Sequence, residues 1–195
     1  MSRTASVHRA TGETDVEVRI DLDGTGAAEA RTGIGFFDHM LTLLARHSLI
    51  DLSVTAAGDL ETGSHHTVED VGIALGEALD TALADRSGIE RYGSALVPMD
   101  EVLVQVAVDL SGRPFLALDA PLPATVLGGF ETDLMAEFMR GLVNQARMTL
   151  HISVLSSGGP HHVIEGCFKG VARALRTAVA RNPRVSGVPS SKGRL

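Results

Sequence analysis

The stretch His65-His66-Thr67-Val68-Glu69, which runs on into an apolar segment, returns as His161-His162-Val163-Ile164-Glu165 ahead of a second apolar segment. Self-similarity of this kind decides the architecture before any single element does. Working outward, Ile20-Asp-Leu-Asp-Gly24 returns as Val108-Asp-Leu-Ser-Gly112, and Asp51-Leu-Ser-Val54 as His151-Ile-Ser-Val154. The offsets of 96, 88 and 100 residues differ by short insertions in the connections, so the chain reads as two copies of one unit. Val16–Leu22 and Val102–Leu110 are β-branched, alternate in polarity and stop at Gly24 and Gly112, the signature of strands; a second strand candidate follows each. Phe36–Ala45 and Leu134–Val143 carry apolar residues at helical spacing. Leu49–Thr55 and Met148–Leu155 return to strand, and Val68–Leu83 and Val163–Val179 form long helices.

The spacing therefore predicts an α+β fold of internally duplicated ββαβα half-domains, residues 1–95 and 96–195, together one compact catalytic domain. Each half has an apolar face too large to cover alone, and joining the halves as two sheets enclosing the helices buries both. Ala74, Gly76 and Ala78, with Ala172, Ala174 and Ala178, suit close helix contact at the centre or are simply good helix formers. The segment from Arg181 to Leu195 is basic and rich in Pro, Gly and Ser; by composition it reads as a disordered end.

Composition narrows the function. The 195 residues carry 17 Lys and Arg against 24 Asp and Glu, a net charge of −7, the wrong sign for a protein that lives on phosphate-backbone attraction. With no Trp and one Tyr there is little aromatic surface on which bases could stack, so nucleic acid is a poor partner. No apolar stretch approaches the roughly 18 residues needed to span a bilayer. A single cysteine, Cys167, and an N-terminus without a signal-peptide pattern make a reducing cytoplasm the expected compartment.

Histidine is the unusual residue: eight in all, four of them in the two adjacent pairs. On a helix, the glutamate of His-His-x-x-Glu lies within about 60° of either histidine, while the histidines diverge by about 100°. Diverging neighbours can serve different ions. One His-x-x-Glu means little, but two copies at matching places in a duplicated chain point to a metal centre. His39 sits in a mostly apolar helical turn and His151 in mid-strand, where a solvated residue is not expected. A lone histidine in such a place is normally a hydrogen-bonded core residue; beside two such motifs both read as ligands. His39, His65, His66, His151, His161 and His162 with Glu69 and Glu165 make eight donors, which divide into two ions of three histidines and one glutamate. Imidazole and carboxylate without thiolate suit Mn, Fe, Co, Ni or Zn and leave vacancies on a six-coordinate ion.

Among glycines, prolines and serines stand Arg91, Arg113, Ser190, Ser191 and Lys192. Singly each is an ordinary surface residue. Together they suggest a phosphate cradle, since an arginine fixed by a following proline can hold phosphate oxygens bidentately.

Phe37-Asp-His-Met-Leu41, the two His-His-x-x-Glu segments, Asp109-Leu-Ser-Gly-Arg-Pro114 and Gly187-Val-Pro-Ser-Ser-Lys-Gly193 resemble the imidazoleglycerol-phosphate dehydratases of histidine biosynthesis, from about Arg9 to Leu195. The resemblance implies a fold like the second domain of ribosomal protein S5. It also implies two manganese ions per active site and a large homo-oligomer of cubic symmetry, twenty-four subunits, with active sites between subunits. It assigns the eight donors above as metal ligands, Arg91, Arg113, Ser190 and Lys192 to the phosphate, and Glu13 to the substrate. The implied reaction is a hydro-lyase step from imidazole glycerol phosphate to imidazole acetol phosphate. The hydrogen to be removed is not beside a carbonyl, so the expected aid is a cation on the ring nitrogen that lets the anionic ring expel the hydroxyl. Glu165 is expected to act as acid and base, with Glu13 at the leaving hydroxyl and Glu69 as the matching carboxylate of the first copy. His47, at a helix end, is a second acid/base candidate, though that position usually signals a C-terminal interaction with the helix dipole. Two other readings remain: a di-metal phosphohydrolase, which would normally bridge its ions with more carboxylates, and a non-enzymatic metal-binding assembly, which would leave the basic residues without purpose.

Overall fold

The computed structural model describes residues 2–193 and residue 195. In chain order the first half contains β1 (Thr4–Ala10), β2 (Thr14–Asp21), β3 (Ala28–Arg31), α1 (Gly35–Ser48), β4 (Asp51–Gly58) and α2 (His65–Leu83). The second contains β5 (Tyr92–Met99), β6 (Val102–Asp109), β7 (Phe115–Asp119), a short β8–β9 pair (Val126–Leu127, Phe130–Glu131), α3 (Leu134–Ala146), β10 (Thr149–Ser156) and α4 (Pro160–Ala178). The sheets repeat one topology, β1-β2-β4-β3 and β5-β6-β10-β7, each with one parallel pair at the end of the order and antiparallel pairs elsewhere. The expected ββαβα run is present twice, each time preceded by one further strand and in the second copy interrupted by the β8–β9 pair. A division drawn between residues 95 and 96 falls inside β5, which pairs with β6.

Alternation explains the layering. Val16, Val18 and Ile20 of β2, and Val102, Val104, Val106 and Val108 of β6, point to one side and are buried, while their neighbours face out. Burying both apolar faces at once puts the four helices between the sheets in a single continuous core. The close helix contact is not between the two long helices. It lies where α2 crosses α3: a Cβ on Gly72 would stand 2.6 Å from the Phe138 carbonyl oxygen, and one on Gly76 2.6 Å from that of Leu142. The small residues of α4 serve instead its approach to the second sheet, with Gly166 and Gly170 over Val104 and Val106. Phe130 of the β8–β9 pair is fully buried and stacks on Phe37, which tightens the start of α1.

The C-terminal segment is a docked strap. Gly88 N–H donates to Gly187 O (2.8 Å), Asn182 N–H to Gly88 O (3.0 Å), and the Arg91 guanidinium to Pro189 O (2.8 Å). Backbone bonds of this kind leave no mark in composition, which is why the segment reads as disordered from sequence. No helix among the described residues is long and apolar enough to cross a membrane.

Candidate active site

Both histidine pairs open their helices. His65 and His66 are the first residues of α2, and His161 and His162 follow Pro160, whose fixed φ suits the first helical position. The rings of each pair stand nearly perpendicular, at 85° and 83°, so adjacent histidines do diverge. In the second half His161 Nε2 lies 3.1 Å from Glu165 Oε2, and His39 Nε2 arrives from α1 at 3.8 Å from the same oxygen. Donor atoms of these three residues lie within 4.8 Å of one another. His39 is aimed there because Asp38 is tied back to the Thr32 N–H and hydroxyl (2.8 and 2.7 Å) and α1 packs along α4. In the first half His65 Nε2 and Glu69 Oε2 are 3.6 Å apart, and no third donor joins them among the described residues.

Glu165 is buried, and burial pushes its carboxyl up. The Lys169 ammonium at 2.5 Å from Oε1, with His161, brings it on balance below the ordinary carboxylate value. It stands ready as a carboxylate. Burial, and after it the cations of Lys169 and Arg173, hold the His47 imidazole below its ordinary value.

The second histidine of each pair turns to other carboxylates. His66 Nδ1 lies 3.1 Å from both Asp59 oxygens and 3.7 Å from Glu13 Oε2. His162 Nδ1 lies 2.9 and 3.2 Å from the Glu101 oxygens, and its Nε2 is 3.9 Å from Asp100 Oδ2. Asp59 raises the His66 value and Glu101 that of His162; Glu101 itself is lowered to about 2, first by the Gly159 N–H and then by His162.

His151 corrects an expectation, and so does His39, whose side chain is half exposed on α1. His151 is not shielded in mid-strand: Leu150 and Ile152 take the buried side of β10, so alternation places His151 on the outer face, 5.7 Å from the Phe115 ring. It joins none of the other donors among the described residues.

The basic residues converge on one carboxylate. Asp109 at the end of β6 accepts two bonds from Arg91 (2.7 and 3.1 Å) and lies 3.9 Å from Arg113. The C-terminal strap brings Ser190 and Lys192 to the same end through the bond from Arg91 to Pro189 O. Arg91 is mostly buried and engaged, whereas the Arg113 side chain is 70% exposed. Sequence reasoning passed over Asp59, Glu101, Lys169 and the hub role of Asp109. Lys169 was within reach, one helical turn beyond Glu165. A cleft of about 680 Å³ on the first sheet, lined by residues such as Arg19, Asp21, Glu29 and Ser53, holds none of these groups.

Fold and site define a duplicated two-sheet α+β protein whose imidazole–carboxylate groups sit at helix N-termini, apart from an arginine-bearing strand end. The model of the family described as imidazoleglycerol-phosphate dehydratase matches residues 32–175. The imidazoleglycerol-phosphate dehydratase of Rhodopseudomonas palustris (strain TIE-1) is 56% identical over 194 residues, covering 99% of this chain and 98% of the relative. That of Symbiobacterium thermophilum is 58% identical over 193 residues, covering 99% and 93%. The crystal structure of the Staphylococcus aureus N315 enzyme superposes with a TM-score of 0.83 at 38% identity, covering 92% of this chain and 99% of that one. The Pyrococcus furiosus enzyme, in complex with (S)-C348, gives 0.79 at 39% identity, covering 97% and 100%. The chain belongs to the imidazoleglycerol-phosphate dehydratase family. It is a lyase of histidine biosynthesis that removes water from imidazoleglycerol phosphate, and neither the phosphohydrolase nor the metal-store reading is favoured.

Proposed function

We propose that the chain performs this dehydration with two manganese ions per active site, in sites shared between subunits of a homo-oligomer. The observation that carries the reading is the meeting of His39, His161 and Glu165, from helices of both halves, around one point. The donor chemistry fits a hard to borderline cation. It is imidazole and carboxylate, and the one thiol, Cys167, is buried and pushed up to about 12. His39, His161 and Glu165 would hold one ion; His65 and Glu69 would contribute to the other, with His66, His162 and His151 as the remaining donors. When bound, such a cation supplies a Lewis acid for a ring nitrogen.

This chain's own residues supply the rest. Glu165, ionised beside Lys169, takes the proton from the carbon next to the one that loses the hydroxyl and gives it to the ring-side carbon as the enol becomes the ketone; Glu13, at a hairpin tip and exposed, serves the hydroxyl that leaves as water; Glu69 is the corresponding carboxylate of the first half. Arg113, Lys192 and Ser190 hold the phosphate, with Arg91, whose three nitrogens already bond Asp109 and Pro189 O, adding its charge from beneath.

Position supports the sharing of sites. On the outer face of the second sheet, the row through Ser94, Ala107 and His151 lies next to the row through Tyr92, Asp109 and Phe115. His151 and the Asp109 hub thus share one face, while the helix N-termini carry the other donors. Tyr92, Leu96 and Phe115 are exposed on that face, apolar surface of the kind that subunit contact covers. A second copy would bring one group to the other, in keeping with the twenty-four-subunit assembly that the resemblance implies. The free thiol is in keeping with a cytoplasmic location.

The test combines metal analysis of protein purified without added metal, turnover, and mass by light scattering before and after EDTA. Two manganese ions per chain, with loss of turnover and of assembled mass on chelation, are expected. Full turnover without metal would overturn the cation chemistry, and an unchanged mass would overturn ligands shared between subunits.

A further inference from the structure

The two hairpin tips are copies of each other. β1–β2 turns through Thr11–Thr14 and β5–β6 through Met99–Val102, and Glu101 follows Glu13 by 88 residues, the offset that relates Val108 to Ile20. The two glutamates have different neighbours. Glu101 Oε2 is 2.9 Å from His162 Nδ1, and Oε1 accepts the Gly159 N–H at 2.9 Å. Glu13 stands 3.7 Å from His66 Nδ1, too far for a hydrogen bond, because Asp59 occupies that nitrogen.

The connections explain the exchange. Asp59–Ser64 separate β4 from α2 and carry two acids, Asp59 and Glu61, the first of which reaches His66. Between β10 and α4 stand Ser157, Gly158 and Gly159, which carry none. Glu101 therefore reaches across from the hairpin, and it passes where a Cβ on Gly158 would lie, 2.1 Å from Oε1. A carboxylate on Nδ1 accepts the Nδ1–H, fixes that tautomer and leaves the Nε2 lone pair free for a cation.

We propose that Glu101 is the positioning residue of His162, holding its Nδ1–H so that Nε2 is the donor nitrogen, and that Asp59 performs this task for His66, releasing Glu13, the counterpart of Glu101, for the substrate. The proposal rests on the reading of His66 and His162 as metal ligands.

Glu101→Gln separates the two duties of the side chain. Its carbonyl oxygen can keep the Gly159 bond, but its amide then presents N–H to Nδ1 and favours the Nε2–H tautomer. Two-bond ¹H–¹⁵N spectra of metal-free, histidine-labelled protein at pH about 9, where imidazoles are neutral, should show His162 as Nδ1–H in the wild type and moved toward Nε2–H in Glu101→Gln. Titration with Mn2+ alone should show one of two ions weakened 10- to 100-fold. Asp59→Asn should do the same through His66, Glu13→Gln should change neither affinity, and Glu101→Asp should restore part of the loss. A far-UV spectrum and thermal midpoint like those of the wild type would show that Glu101→Gln folds. Should Glu101→Gln misfold, the same spectra and titration on Glu101→Asp decide the matter. An unchanged His162 tautomer with unchanged Mn2+ affinity in Glu101→Gln would overturn the proposal. A wild type that takes up no Mn2+ would instead overturn the ligand reading beneath it, whatever the tautomer.

Discussion

The strand ends of the two sheets have parted ways while keeping one plan. Arg3 and Arg91 are again 88 residues apart and are both anchors, the first buried and the second mostly so. Arg3 grips Asp23 and the Val179 carbonyl; Arg91 grips Asp109 and the Pro189 carbonyl. Beyond them the halves differ. In the first, Asp51 accepts the Thr25 and Ala27 N–H groups (both 2.8 Å) and closes the loop after β2. In the second, Thr149 stands at the paired position opposite Asp109, and Arg113, at the offset of Thr25, is left in solvent. Duplication preserved the mechanical part, an arginine tying a strand end to a carbonyl at or beyond the end of α4, and left the second copy's strand end open, where the proposed phosphate site lies. The same division runs through the helices: both halves keep a His-x-x-x-Glu pair, but Glu165 is buried against Lys169, whereas Glu69 is about 43% exposed.

The sharpest way to break that comparison is at the two glutamates. With both ions bound, Glu165→Gln should lower kcat about 10³-fold, the range for removing a positioned acid or base, and Glu69→Gln by about tenfold. Rapid turnover by metal-saturated Glu165→Gln would return the proton transfer to another group.

Packing offers the next contrast. Gly72 faces the Phe138 carbonyl, backbone that cannot give way, whereas Gly170 faces the Val106 Cγ2 methyl, also at 2.6 Å, which can turn aside. Gly72→Ala should cost about 2–3 kcal/mol in urea denaturation and Gly170→Ala about 1 kcal/mol. Equal costs would mean that the α2–α3 crossing is no tighter than the seating of α4 on its sheet.

Smaller still is the effect expected at the open strand end. Arg113→Ala should raise KM about 10- to 30-fold with metal content and kcat little changed, since it removes one charge-assisted hydrogen bond of about 1.5–2 kcal/mol. Thr25→Ala, in the closed half, should leave KM alone. An unchanged KM in Arg113→Ala would move the phosphate elsewhere.

Much of this was legible in advance because periodicity is physical: a 2.0 period buried the valines of β2 and β6, and a 3.6 period put His161 and Glu165 on one side of α4. β1 was passed over because it is an edge strand whose residues never become fully buried, so its alternation carries little apolar contrast. His151 was misjudged because strand membership was equated with burial, although Leu150 and Ile152 already claim the inner face. Asp59 and Glu101 escaped notice for different reasons. Asp59 lies outside the helical register of His66, and Glu101 reaches its histidine across 61 residues, where only the repeat offset could have pointed to it.

Asp51 gives the smallest effect and the cleanest sign. The amides of Ala27 and then Thr25 hold its carboxyl below the ordinary 3.8, so the folded protein binds that proton less readily than the unfolded chain. The stabilisation is therefore fully present above pH 3.8 and is lost as pH falls through the lower folded value. Asn in its place keeps an acceptor oxygen but not the charge, so Asp51→Asn should cost about 1 kcal/mol at pH 7. The gap from the wild type should close below pH 3.8, because the protonated wild type then resembles the variant. Urea midpoints at fixed protein and Mn2+ concentration measure it. A gap that persists at low pH would mean that Asp51 acts through shape rather than charge, and that Thr149 could have closed the second half as well.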